Sequence, residues 1–396
     1  MNEPIVAPLT LHPTRPAGDH AQLTARVKLL AAQHGLSVSA VTAIDPFPEV
    51  AAHLQAHINA GHIEGLDWFT TERATFSADL RNLQPSAKSI LSVGISYWPG
   101  PTEKPDDGIR RGRISRYAWG RDYHRVIKRR LKALHATLET ELGRNIEARF
   151  LVDTARVVER AVAARAGLGW YGKHACLIVP GHGSWVLLGE LLLDLDLEPD
   201  APLNRDCGRC TICLDQCPTG AIVAPYTIHT PSCISYLTIE LRDVVPHELR
   251  PAMGDWVYGC DVCQEVCPYT GAAQLHDDEE LRPASIENAY PSLHRLLAMT
   301  EAEFGDTYFG TPVPRTKRRG LARNAAVALG NIGTEDDAPA LATALASHDE
   351  PLVRGHAAWA LGRIGGPAAR TALDRARHTE PDEYVVGEVE ATLAHS

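Results

Sequence analysis

Eight of the nine cysteines fall into a pattern suited to moving single electrons. The first run is Cys207-x2-Cys210-x2-Cys213-x3-Cys217-Pro218. The second is Cys260-x2-Cys263-x3-Cys267-Pro268, with Cys233 between them. Thiolates at C-x2-C-x2-C spacing wrap one iron–sulfur cubane, and the fourth cysteine of such a run ligates the other cluster. The spacing therefore groups Cys207, Cys210 and Cys213 with Cys267 around one [4Fe–4S] cluster and sends Cys217 across to Cys260 and Cys263. A symmetric module would place the eighth thiol at position 257. That residue is Val257, which leaves Cys233 as the nearby candidate. Structural zinc also favours four cysteines, but zinc sites usually pair two C-x2-C knuckles, not a triple followed by Cys-Pro. Cys176, the ninth, reads as a buried apolar cysteine.

The remaining chain bounds this chemistry. Its 396 residues, 44% hydrophobic, suit two or three globular domains. The first twenty residues lack the basic and apolar regions of a secretory signal. The most apolar run, residues 185–197, is interrupted by Glu190, Asp194 and Asp196 and falls short of a membrane span. A cytoplasmic chain without a membrane partner is expected, in which disulfides are disfavoured. No zipper pattern is visible, so a monomer is expected.

Several elements must position the thiols and their partners. Residues 1–75 read as mostly helical. Residues 89–97 (SILSVGISY) read as a buried strand, 122–141 as a helix with a basic face, 148–152 as a short strand delivering Asp153, and 157–166 as a helix. Residues 175–179 and 184–195 read as a β-hairpin around Pro180-Gly181-His182-Gly183. This alternation predicts an α/β domain over residues 1–199, followed by a ferredoxin-like two-cluster module over 200–280. In the last part, residues 281–396, the segment 325–333 (AAVALGNIG) recurs as 357–365 (AAWALGRIG). Internal similarity at such a period predicts stacked, HEAT-like helical repeats.

Three further features carry candidate chemistry. Asp153 sits where a strand ends, a usual place for working groups in α/β sheets; an N-cap for the next helix is the competing reading. Residues 167–172 (GLGWYG) match a dinucleotide fingerprint, but a helix precedes them where the fingerprint needs a strand. The net charge of −10 argues against nucleic acid, yet two local stretches are basic. One is Arg110 to Arg130, with Tyr117, Trp119 and Tyr123 interleaved. The other is Arg315, Lys317, Arg318 and Arg319, leading to Arg323 at the mouth of the repeat. Both suggest a phosphate-bearing partner, with RNA shape recognition favoured at the second.

Together these residues resemble the epoxyqueuosine reductase family, the cobalamin-dependent enzymes of tRNA queuosine synthesis. The resemblance is carried by residues 116–124 (RYAWGRDYH), Val152-Asp153-Thr154, residues 160–173 (RAVAARAGLGWYGK), both cysteine runs, Cys233-Ile234-Ser235-Tyr236, Tyr258-Gly259-Cys260-Asp261, and Arg323-Asn324 opening a repeat helix. It implies reduction of epoxyqueuosine at the tRNA wobble position to queuosine, by Co(I) cobalamin fed from two [4Fe–4S] clusters and an unidentified low-potential donor. It also implies that Asp153 is the proton donor facing cobalt, with burial raising its pKa, and that Ser115, Leu177, Ser235 and Asp261 line the cofactor. Asp122-Tyr123-His124 begins like a cobalt-ligating D-x-H-x-x-G loop, but Ile127 stands in the glycine's place, in keeping with a cobalt that takes no protein histidine. Family members often carry an arginine where this chain has Ser77; Arg73 is the candidate replacement. A cytoplasmic reductive dehalogenase-like enzyme acting on a small molecule, and a non-catalytic electron-transfer protein, are the competing readings.

Overall fold

The strand Val186–Leu193 lies at the centre of a four-stranded sheet, antiparallel to Ser89–Ser96 on one side and to Ala148–Leu151 on the other. Val38–Ala43 completes the edge beside Ser89–Ser96. The computed structural model describes residues 19–394; residues 1–18, the bulk of the stretch read for a secretory signal, lie outside them. Among the described residues no helix is long and apolar enough to cross a membrane.

Side chains alternate across a strand, and both faces of this sheet are covered. Leu91, Val93, Ile95, Leu191 and Leu193 pack against the helices Asp19–Gln33 and Tyr123–Leu142. Ile90 and Leu192 point the other way, toward the helix Glu159–Arg165. Glu190 shares that second face with Leu192. Burial on both sides explains the nearly unbroken apolar runs of the two inner strands. Gly189 lets the long helix approach: a Cβ there would stand 2.6 Å from Ile127 Cγ2. Asp122 caps that helix through the His124 N–H, and Gly143, at φ 60°, ends it.

Two expectations change. The first 75 residues include the strand Val38–Ala43, whose pattern is too short to separate from the helices around it. The expected hairpin reduces to a single bridge between Val179 and Gly183. Leu177–Ile178 pairs with Trp170–Tyr171 instead, because Val186–Leu193 is apolar on both faces and is drawn into the central sheet. The GLGWYG segment thus leads from a helix into a strand, the reverse of the dinucleotide order.

The cysteine-bearing segment is built of short pieces, including the helices Ile212–Asp215, Ile234–Ile239 and Val262–Glu265. Its strand Trp256–Tyr258 pairs in parallel with Arg113–Ile114. The C-terminal helices Lys317–Ile332, Ala338–Ser347, Pro351–Ile364, Gly366–Thr379 and Glu383–Ala394 stack as repeats. Small residues permit the close crossing: a Cβ on Gly330 would stand 2.5 Å from Trp359. One apolar core runs from Ile114 through Leu237 and Tyr258 to Val389. The boundaries expected at residues 199 and 280 therefore do not separate the cores.

Candidate functional site

Cys207, Cys210, Cys213 and Cys267 line one cavity, together with Lys173, His174, Pro268 and Tyr269. Residues sixty apart in sequence meet there. Burial, then the neighbouring thiols of Cys267, Cys207 and Cys210, pushes the Cys213 thiol up to about 11. A second group forms around Cys260. Its thiol is raised first by burial, with Asp261, Cys233 and Cys217 adding to it. Cys263 is raised in the same way, with Cys176, Cys260 and Cys233 as neighbours. The cysteines thus gather into two groups, and Cys233 stands with Cys217, Cys260 and Cys263 in the second. All nine cysteines are free thiols. Among the described residues no three His, Cys, Asp or Glu side chains converge closely enough to share one metal ion. Thiols ringed around a cavity suit a polynuclear group, and the donor set fits iron–sulfur clusters. Cys176, expected as a buried apolar cysteine, is half-buried and neighbours Cys263.

Asp153 closes the strand Ala148–Leu151 and adopts a left-handed backbone, φ 41°. That region is uncommon for a residue with a side chain and is found where surroundings hold it. Here its N–H donates to the Glu159 carboxylate. Its own carboxylate takes a hydrogen bond from His124 Nε2 at 3.0 Å. The Tyr123 ring stacks on His124 at 4.1 Å between centroids. Val158, which makes no side-chain cap, stands at the N-cap position of the helix Glu159–Arg165, so Asp153 does not serve as its N-cap.

The electrostatics here correct an expectation. Burial pushes the Asp153 carboxyl upward, but the hydrogen bond and charge of His124, the Tyr123 hydroxyl and the Arg315 charge outweigh it and hold the group below its ordinary value. The side chain is 53% exposed. The raised groups are its neighbours. Burial alone would lower His124, yet Asp122 and Asp153 carry it to about 9. Burial, then the Asp153 charge, lifts Glu159 to about 8. Glu190 is fully buried with neither carboxyl oxygen partnered; burial, then Glu159 and Asp153, holds it well above the ordinary range. Glu190 faces Ser92 across the sheet, whose hydroxyl is likewise buried and unpartnered. Sequence reasoning missed Glu159 and Glu190 as members of the site. The one available signal was a glutamate inside LLGELLL, a costly burial unless it stays neutral.

Of the other expected cofactor-lining residues, Ser115, Leu177 and Asp261 are buried and Ser235 is half-buried. Ser115 and Asp261 are buried and bonded to each other at 2.5 Å. Asp261 also accepts from the Arg116 backbone N–H and guanidinium, both at 3.0 Å. Leu177 is buried in its short strand, and Ser235 is half-buried on the helix Ile234–Ile239. His124 has both ring nitrogens engaged, Nδ1 by Asp122 at 2.7 Å and Nε2 by Asp153 at 3.0 Å. Neither is left for a metal, so His124 is not available as a cobalt ligand. Arg73 reaches the carbonyls of Thr154 and Ala155, both at 3.4 Å, while Ser77 is buried. Arg73 thus supports the loop that carries Asp153.

Most of the basic residues are not a free surface. Arg323 is fully buried and donates to the carbonyls of Leu237, Leu241 and Asp243. Its neighbour Asn324 donates to those of Thr238 and Val257. Arg323 therefore bolts the first long repeat helix to the cysteine-bearing segment, and the expectation that it binds RNA is overturned. Arg318 is buried between Glu301 and Asp349, which likewise removes it from the phosphate-binding set. Arg315 pairs with Glu240. Lys317 is exposed and Arg319 half-buried. In the first run, Arg111 pairs with Asp107 and Glu287, Arg116 with Asp261 and Glu265, and Arg129 and Arg130 with Glu280. Many charges of that run are structural.

Comparison with known proteins covers the same regions. The family model described as "Epoxyqueuosine reductase QueG, DUF1730" matches residues 78–154. A "4Fe-4S double cluster binding domain" matches 206–270, and "HEAT repeats" match 317–394. The chain is 38% identical over 350 residues to an epoxyqueuosine reductase of Xanthomonas campestris, covering 88% of this chain and 98% of the relative. It is 37% identical over 349 residues to that of Escherichia coli K12, covering 87% and 90%. A solved epoxyqueuosine reductase in complex with a tRNA-Tyr epoxyqueuosine-modified stem loop superposes with a TM-score of 0.88. That match has 33% sequence identity and covers 94% of this chain and 98% of the other.

Proposed function

The chain belongs to the epoxyqueuosine reductase family, and from that premise we propose how its residues perform the reaction. The enzyme reduces epoxyqueuosine in tRNA to queuosine, using two [4Fe–4S] clusters and cobalamin. Removing the epoxide oxygen as water takes two electrons and two protons. When bound, the clusters carry single electrons and cobalamin supplies the strongly reducing, nucleophilic metal centre. The protein positions these groups, excludes water and holds protons.

The observation that carries the assignment of roles is the coupled group of His124, Asp153 and Glu159. An opening epoxide leaves an alkoxide, a far stronger base than any carboxylate, and it needs a proton as the C–O bond breaks. Asp153 is the half-exposed member and the one that reaches outward. At neutral pH it rests as a carboxylate, with the nearest proton on His124 Nε2, 3.0 Å away. We assign Asp153 as the group that hands that proton to the substrate oxygen. His124 positions and recharges it, and Glu159 is a second proton store. Tyr123 and the Arg73 contacts to the following carbonyls keep the loop in its strained conformation.

The clusters are assigned to Cys207, Cys210, Cys213 and Cys267, and to Cys217, Cys233, Cys260 and Cys263. Ser115, Leu177, Ser235 and Asp261 are assigned to the cobalamin side, between the second quartet and the carboxylates. For the tRNA, Lys317, Arg319 and Arg315 are the candidate phosphate contacts. The test is anaerobic reconstitution with iron, sulfide and cobalamin, then mass analysis of nucleosides from epoxyqueuosine-containing tRNA after a low-potential reductant is added. A product lighter by one oxygen is expected. A chain loaded with both cofactors that leaves the nucleoside unchanged would overturn the substrate.

A further inference from the structure

His174 lies on the turn between the strands Trp170–Tyr171 and Leu177–Ile178 and is 1% exposed. Its Nδ1 takes a hydrogen bond from the Cys176 backbone N–H at 3.1 Å. That nitrogen therefore presents its lone pair, and the ring proton resides on Nε2. Nε2 is buried and has no partner within the protein. A buried N–H without an acceptor is rare and costly. The cavity that His174 lines also contains Cys207, Cys210, Cys213 and Cys267.

The turn is built to hold the ring in place. Gly172 donates to the Cys176 carbonyl at 2.8 Å, and Ala175 donates to that of Gly172 at 2.9 Å. Arg160 holds the Ala175 carbonyl at 2.5 Å. Lys173 ties the turn to the cysteine loop through the Gly208 carbonyl at 2.7 Å. At position 172 only glycine leaves room: a Cβ would stand 2.6 Å from His174 Cε1 and 3.0 Å from Nε2.

Resting on the cluster assignment above, we propose that His174 donates its Nε2–H to the sulfur of the cluster held by Cys207, Cys210, Cys213 and Cys267, and thereby raises that cluster's reduction potential. Hydrogen bonds to cluster sulfurs stabilise the more negative, reduced state. A donor fixed by the protein makes this cluster an easier acceptor for the incoming electron. His174 is a positioning residue in this account, since it acts through the cluster and does not touch substrate.

The test uses the whole reconstituted protein. Iron and sulfide analysis first establishes that the clusters are loaded. Pulsed EPR on wild-type protein labelled with 15N-histidine should then show a nitrogen coupling to a reduced cluster. Potentiometric titration of His174→Leu should show an about tenfold lower ratio of reduced to oxidised cluster at the wild-type midpoint, equivalent to ~59 mV for a one-electron couple. His174→Gln, which restores an N–H donor, should recover most of that loss. A loaded wild-type protein without histidine coupling overturns the inference, as does a loaded Leu variant with an unchanged midpoint. Should the Leu variant fail to hold iron, the wild-type coupling alone decides. A wild-type chain that binds no cluster overturns the assignment beneath it as well.

Discussion

The thiol region and the carboxylate corner balance charge in opposite ways. Among the cysteines, burial and neighbouring thiols push Cys213 to about 11 and raise Cys260 and Cys263 further. Bare thiols in that state stay protonated at neutral pH and ionise only when metal joins them. The carboxylate corner carries its own counter-charge: His124, held at about 9, bridges Asp122 and Asp153, with Arg315 in electrostatic reach. It is assembled before any ligand binds. One region therefore depends on its cofactor for its charge state, and the other does not.

The largest test of that contrast is loss of a thiol. Cys210→Ser and Cys260→Ser should each retain about half of the wild-type iron, since each removes a ligand from only one cluster. Both should lose conversion entirely, with the His124–Asp153 pair intact in the NMR signals of the apo protein. A variant that keeps all its iron would break the division into quartets.

Next in size is the joint beneath both regions. Arg323→Ala orphans three buried carbonyls and leaves a cavity, at an expected cost of about 3 kcal/mol or more, read by denaturant titration. Its salt dependence of tRNA binding should match wild type. A flattened salt slope with unchanged stability would return Arg323 to the RNA surface.

The corner also predicts a pH window. The His124 pKa is raised on folding from 6.5 to about 9, so its contribution is fully present below pH 6.5 and lost as pH climbs through 9. The stability advantage of wild type over His124→Gln should shrink across that interval in thermal melts of the apo protein. An advantage that stays constant from pH 6 to 10 would remove the ion pair from the account. The smallest expected effect is on RNA binding. Lys317→Gln together with Arg319→Gln should lower the log–log salt slope by about 0.7 to 0.9 per contact, without changing stability.

The two regions were also unequally legible in the sequence. Cluster ligands must sit at spacings that one loop can wrap, so the cysteine runs point to both quartets, and elimination points to Cys233. The carboxylate corner has no such signature. Asp122 and His124 come from one helix start, Asp153 from a strand end, Glu159 from the next helix and Glu190 from the central strand. Only the sheet register and helix packing bring them together. That is why Asp153 was anticipated but its pKa direction was not: the partner that reverses it lies 29 residues away. Charge runs misled for a related reason. Arg323 and Lys317 lie on one helix, but Arg323 faces a neighbouring segment rich in backbone carbonyls, while Lys317 faces solvent. The edge strand Val38–Ala43 was lost among helices because its six residues carry too little pattern of their own.

The most direct test of the central claim, that the corner delivers the proton while the thiols deliver electrons, is one variant assayed for everything at once. Asp153→Asn should bind iron, cobalamin and an epoxyqueuosine-modified stem loop as wild type does, yet convert the nucleoside at least ~100-fold more slowly. Conversion by that variant at the wild-type rate would contradict the account and move the proton source elsewhere.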